Sequence, residues 1–297
     1  MEKTSRYRSK KISKDEMNAI SEKVDKRFEE FLKLGKYKEV LLVMGNLSRY
    51  SLKNQLYLMW QKPEVTTVHG LREWNKLGRQ VKRGEKGLKI YFPLRGKQEG
   101  ETGEEIRCYG FKAGYVFDLS QTEGEELSVF RFDEKALVKD KEKILNGLSE
   151  AASNYGYSIR RVGEIELGQD CYGLCSHRDK EILIKENLGD LQEISTTIHE
   201  CGHALAHGSC RSDFQGLTPM EKREIKEVEA ESIACIVCTY LGIETENFNF
   251  SYISGWAKGD ISKFRKNLNV VSGCAKTIIE SIENEFEGQF MGGKMQI

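Results

Sequence analysis

Thr196-Thr197-Ile198-His199-Glu200-Cys201-Gly202-His203-Ala204-Leu205-Ala206-His207 carries the pattern H-E-x-x-H inside a run that reads as helix. His199 and His203 are four residues apart. A helix therefore projects both imidazoles from one face, about 5–6 Å apart at Cβ. Two nitrogens so placed suit one zinc ion. Glu200 sits beside them, where a carboxylate can take a proton from a water that the ion activates.

A catalytic zinc needs a third protein ligand and an open position. His207 lies roughly 12 Å along the axis from His199 at 1.5 Å per residue, so the three histidines of one straight helix cannot meet at one ion. It reads instead as a capping or surface histidine, with Gly208 as the helix C-cap. The third ligand has to come from elsewhere. Glu227-Val228-Glu229-Ala230-Glu231 opens a second apolar-periodic stretch. Glu227 and Glu231 share a helix face, while Glu229 is turned about 200° away from Glu227. Glu227 is the expected third ligand, and Glu231 the expected acceptor for the far N–H of a ligand imidazole.

The 297 residues are enough for two domains with cores of their own. Apolar content of 39% and charged content of 31% describe a soluble globular protein. No apolar run approaches a membrane span, and Met1–Arg8 are not followed by the apolar core of a secretory signal. The expected location is therefore cytoplasmic, with no membrane partner and with the eight cysteines reduced. Cys235 and Cys238 lie inside an apolar helical pattern and read as core packing rather than as a redox or metal pair. Cys171 and Cys175 fall in a strand region, near His177 but short of further ligands.

Zero net charge conceals an asymmetry. Residues 1–100 hold 24 Lys and Arg against 12 Asp and Glu, and the rest of the chain holds 22 against 34. A basic module joined to an acidic one is the expected plan, with nucleic acid as a partner for the first.

Residues 1–12 read as a disordered basic arm. Ser13 with Glu16 has the form of a capping box, and Ile20, Val24, Phe28, Phe31 and Leu32 follow at helical spacing. Further helices are expected over Lys38–Gly45 and from Leu52 to Trp60, then a short strand over Val65–Val68. Gly70–Pro93 is the densest basic stretch, and from Arg72 to Lys97 nine basic side chains face two acidic ones. Arg72, Lys76, Arg79, Lys82, Arg83, Lys86 and Lys89 are candidates for phosphate contacts, and Trp74 and Tyr91 for base stacking. The same stretch also reads as a solvated basic surface with Trp74 in the core. An acidic loop over Gln98–Glu105 and a strand over Cys108–Leu119 follow. A first domain over 13–127 and a second over 128–297 result. In the second, a helix is expected over Glu134–Ala152, strands over Tyr157–Val162 and Lys180–Ile184, and an edge strand near Tyr172–Ser176 that could pair with an extended peptide. The metal-binding helix from Asp190, a connection over 208–222, a helix over Glu224–Leu241, the segment Tyr252–Trp256 and a helix through Ile279–Ile282 complete it.

Tyr50-Ser51-x-x-Asn54, Gly70-Leu71-x-x-Trp74, Leu77-Gly78-Arg79-x-Val81-x-x-Gly84-Glu85-Lys86-Gly87 and Val116-Phe117-Asp118-x-x-Gln121-Thr122-Glu123-Gly124 resemble the N-terminal domain of ArdC-type antirestriction proteins. The resemblance implies single-stranded DNA binding and a mobile-element setting, and it does not name the DNA-contacting residues. His199-Glu200-Cys201-Gly202-His203 and Glu227-x-x-Ala230-Glu231 resemble the zinc metallopeptidase half of the same proteins, which is similar to ImmA/IrrE-type peptidases. In gluzincin-like enzymes the first Glu of the second pattern is a ligand, which agrees with the face argument for Glu227. Relatives often carry Asn or Asp where this chain has Glu231.

The expected fold class is α+β in two domains: an N-terminal helical and small-sheet basic domain, and a C-terminal zincin-like (gluzincin) metallopeptidase domain with Zn2+. Two functions follow. One is a mobile-element protein that protects transferred single strands. The other is a regulatory peptidase that cleaves a repressor or another DNA-associated protein. A structural zinc is the plainer third reading, but it has no use for the base Glu200.

Overall fold

The computed structural model describes residues 11–100, 103–125, 134–208, 211, 214–248, 250 and 261–286. The chain divides into two compact units, Met1–Val43 with Tyr50–Ser128 and Met44–Arg49 with Val129–Ile297. No described helix is long and apolar enough to cross a membrane.

In the first unit, Ser13 opens α1 (Lys14–Lys33) with a reciprocal capping box to Glu16. Met17, Val24 and Phe28 form its buried stripe. Helices α2 (Tyr37–Asn46) and α3 (Leu52–Gln61) follow. A long antiparallel hairpin pairs β4 (Leu88–Gly100) with β5 (Gly103–Asp118). The other edge of β5 carries β1 (Lys11–Ile12) and β2 (Val68–His69). Between β2 and β4 lie α4 (Leu71–Lys76) and β3 (Arg79–Val81), and β3 pairs with β6 (Thr122–Gly124).

Three expectations change here. Lys11 and Ile12 of the expected arm are strand, held by the ladder of β5; residues 1–10 lie outside the described residues. The strand expected over Val65–Val68 comes later and is shorter. Asp118 explains this: its carboxylate accepts from the Thr66 N–H (2.8 Å) and hydroxyl (3.2 Å), so Thr66 bonds a side chain instead of a strand. The acidic stretch 98–105, expected as a loop, pairs Gln98 with Glu105 and Glu99 with Glu104. Ladder bonds are made by backbone groups, and acidic composition alone does not end them.

The free edge of β4 is closed by two side-chain amides from α3. Asn54 Oδ1 accepts from the Tyr91 N–H (2.9 Å) and its Nδ2 donates to the Tyr91 carbonyl (3.0 Å). Two turns on, Gln61 does the same for Lys89 at 2.8 and 2.9 Å. Asn54 and Gln61 are thus bonded to β4 as a neighbouring strand would be. Trp74 is wholly buried and donates its indole N–H to the Phe117 carbonyl (2.8 Å). Gln121 accepts from the Asp118 N–H (2.9 Å) and donates to Glu85 (2.8 Å) and to the Lys86 carbonyl (2.9 Å).

In the second unit the helix expected over 134–152 is two, α5 (Glu134–Lys139) and α6 (Lys141–Ser153). Asp140 breaks it with φ −100° and ψ 13°, as befits a residue that favours caps over helix interiors. A three-stranded sheet has the order β7 (Ser158–Val162), β9 (Glu181–Lys185), β8 (Gly173–Ser176). β7 runs parallel to β9, β8 runs antiparallel to it, and β8 is an edge. A short helix, α7 (Glu164–Leu167), precedes β8. α8 (Asp190–His207), α9 (Pro219–Leu241) and α10 (Ile261–Asn284) supply most of the core with α6. The connection expected over 208–222 ends early. Thr218 caps α9 with Glu221, and Pro219 takes the first helical position, where a missing N–H costs nothing. Cys235 and Cys238 are wholly buried in this core. Met44–Arg49 belongs to this unit: Gly45 packs against α9, where a Cβ on it would fall 2.6 Å from Thr239 Cβ, and Arg49 pairs with Glu283 at 3.3 Å. The segment Tyr252–Trp256 lies outside the described residues.

Replacing Asn54 with Ala strands a buried N–H and carbonyl on Tyr91. The expected loss is about 2–4 kcal/mol of stability, read as a lowered urea midpoint with an unchanged slope. An unchanged midpoint would show that water replaces both bonds.

Candidate metal centre

α8 and α9 come close where Gly202 faces Ala230; a Cβ on Gly202 would stand 3.2 Å from the Ala230 Cα. That approach brings Glu227 of α9 over the two histidines of α8. His199 Nε2 and His203 Nε2 are 3.2 Å apart, and Glu227 Oε2 is 3.8 and 3.5 Å from them. Donors bound at about 2.0–2.1 Å to a tetrahedral ion stand roughly 3.3–3.4 Å apart. The three atoms therefore fit the protein face of such a site, and they form a possible metal-binding cluster among the described residues.

The charge balance also suits a cation. Burial works against a charged His199, but the carboxylates of Glu227 and Glu231 outweigh it and raise its pKa to about 10. The two imidazoles hold Glu227 well below the usual carboxylate range, against the effect of burial. A metal ion bound here must displace that proton, because only a neutral imidazole can be a ligand. Burial raises the pKa of Glu200, which is buried beside the three donors. β8 lies against Glu200 because residue 173 is glycine: a Cβ there would fall 2.8 Å from both Glu200 Cγ and Thr196 Cγ2.

The far nitrogens of both histidines are also met. Glu231 Oε2 is 3.3 Å from His199 Nδ1. His207 Nδ1 is 3.2 Å from His203 Nδ1, and His207 Nε2 is 2.9 Å from Glu229 Oε2. Glu229 is wholly buried and also accepts from Arg211. His207 is accordingly neither a cap nor a surface residue; its side chain is fully buried, and burial lowers its pKa to about 2. The face argument that turned Glu229 away from Glu227 carried the signal for this. A buried acid on the back of α9 needs a partner, and His207 is one turn beyond His203. The structure does not gather Cys171 and Cys175 into a metal site: Cys171 Sγ turns to the Gly173 carbonyl (2.9 Å), and His177 bonds the Tyr157 hydroxyl (2.8 Å).

The residues named for DNA are spread along the first unit. Arg72, Arg83, Lys86 and Lys89 are exposed. Lys76 pairs with Glu73 (3.1 Å), Lys82 donates to the Ser120 carbonyl (2.9 Å), and Arg79 binds Thr122 and the Glu125 carbonyl. Trp74 and Tyr91 cannot serve as stacking faces. Trp74 is core, and Tyr91 is 8% exposed with its hydroxyl 3.2 Å from that of Tyr57.

Residues 10–125 match the family model described as the N-terminal domain of anti-restriction factor ArdC. An uncharacterized Bacillus anthracis protein, pXO2-81, is 24% identical over 286 residues, which is 83% of this chain and 48% of that protein. The chain thus spans about half the length of this curated relative. Two crystal structures of the antirestriction ArdC protein from the R388 plasmid align with 89% of this chain and 98% of their own. The metal-free form has 19% identity and a TM-score of 0.53, and the Mn(II)-bound form 18% and 0.52. Residues 10–125 therefore carry the pattern of the ArdC N-terminal domain, and the chain shares the ArdC fold.

Proposed function

We propose that this chain is an antirestriction protein that binds single-stranded DNA through its first unit and carries a zinc-dependent peptidase centre in its second. The observation that carries this reading is the likeness in fold to nearly the whole of ArdC, together with a donor triad at the spacing of a zinc site. Two imidazoles and one carboxylate with an open fourth position form the donor set of catalytic zinc. The Mn(II)-bound structure of the R388 ArdC protein supports a divalent ion at such a site.

His199, His203 and Glu227 would hold the ion. Bound there, it supplies a Lewis acid that polarises a carbonyl and acidifies a water. Glu200 takes the proton of the attacking water and returns it to the leaving amine. An extended peptide adds to β8, the edge strand beside Glu200. Glu231 fixes the ring of His199, and His207, backed by Glu229 and Arg211, fixes that of His203. The position of β8 also favours a second reading, in which proteolysis of a DNA-associated protein is the activity and the first unit recruits it.

One variant separates the two readings. Glu200→Gln is expected to retain the metal, as read by elemental analysis, and to lose peptide hydrolysis by at least 100-fold, within the range of removing a general base. If shielding of DNA is the function, protection of incoming DNA in a restriction assay persists in this variant; if proteolysis is, protection disappears. Undiminished hydrolysis would rule Glu200 out as the base. Glu229→Gln removes the anchor of His207 and is expected to weaken metal affinity roughly 10- to 100-fold in a chelator competition. Unchanged affinity would show that His203 needs no support.

A further inference from the structure

Three aromatic rings of the first unit meet where α3 closes the edge of β4, and Tyr115 lies on the neighbouring strand. Trp60 stacks on Tyr57 with ring centroids 5.5 Å apart and planes 12° from parallel. Tyr57 in turn lies 5.1 Å from Tyr91, and their hydroxyls are bonded. Tyr91 and Lys89 are two apart on β4 and so share a sheet face. Tyr115 stands opposite Lys89 in the ladder, on that same face. Two of the rings are inside and two are outside: Tyr57 and Tyr91 are buried, whereas Trp60 is 40% and Tyr115 45% exposed.

Scattered surface aromatics need no explanation. Trp60 has a foundation and a flank. Trp60 is backed by a ring on one side, so its position is fixed before any ligand arrives. Gln61, its neighbour, binds both backbone groups of Lys89 and so ties Trp60 to the strand bearing Lys89 and facing Tyr115. Lys53 lies two helical turns before Trp60 on the same face of α3, about 10 Å away, and Lys53 and Lys89 are both exposed. The charge excess of residues 1–100, 24 basic against 12 acidic, favours a polyanion. A ring that stacks on a base needs that base unpaired, which selects single strands over duplex.

We propose that Trp60 and Tyr115 are base-stacking residues of a single-stranded DNA site, with Lys53 and Lys89 neutralising the phosphates on either side. This rests on the DNA-binding reading above and gives it a place. It moves the stacking function from Trp74 and Tyr91, which hold the core, to rings that a base can reach.

The test uses the full chain and a fluorescein-labelled dT20 oligonucleotide, with binding followed by anisotropy across a salt series. Trp60→Leu keeps apolar bulk and removes the ring. It is expected to weaken binding roughly 5- to 150-fold, the range that one stacked base spans, with an unaltered melting temperature. Trp60→Phe, which keeps a ring, restores most of the affinity, as a merely structural role would not require. Lys89→Ala lowers the salt slope by about 0.7, the value of one phosphate contact on a single strand. Wild-type binding that Trp60→Leu and Tyr115→Ala leave unchanged overturns this site while the DNA-binding reading stands. Absence of wild-type binding at low salt overturns both.

Discussion

The approach of α8 to α9 at Gly202 and Ala230 is the constraint on which the second unit depends. Neither helix holds a site alone. α8 contributes two nitrogens on one face, and only an axis close enough to lay α9 against it brings the Glu227 carboxylate within 4 Å of both. The same contact puts Glu229 on the reverse of α9 against His207. One helix pair thus presents donors on its open side and a buried Arg–Glu–His chain on its closed side. A buried charge is tolerable only when paired and hydrogen-bonded, and Arg211 and His207 meet that condition for Glu229.

In the first unit, polar side chains do the work that strands and loops do elsewhere. Asn54 and Gln61 stand in for a strand along β4, Asp118 holds the turn before β2, and Gln121 and Trp74 bind the backbone around them. Asn54, Trp74, Asp118 and Gln121 all fall in the motifs that resemble the ArdC N-terminal domain. Their order along the chain therefore reads as a signature of architecture.

This division explains what was legible in the sequence. H-E-x-x-H spacing and helical phase place His199, His203, Glu227 and Glu231 on two faces, because a regular helix converts numbering into direction. Ser13 with Glu16 is a cap that local chemistry alone decides. Trp74 and Tyr91 went astray because composition shows that a segment is basic and aromatic but not which way a ring points. Burial of a tryptophan is a tertiary fact, fixed here by a carbonyl 43 residues away. The burial of His207 escapes the sequence for the same reason: its partner Glu229 is on another helix. The break at Asp140 and the early start of α9 at Pro219 are smaller cases in which cap geometry outweighed periodicity.

Anomalous diffraction from crystals grown with zinc is the most direct measurement of the central claim. The expected result is an ion bound by His199 Nε2, His203 Nε2 and a Glu227 oxygen, with Glu200 close by but outside the coordination sphere. An ion held by Glu200 or by Cys171 and Cys175, or no ion between α8 and α9, would contradict it.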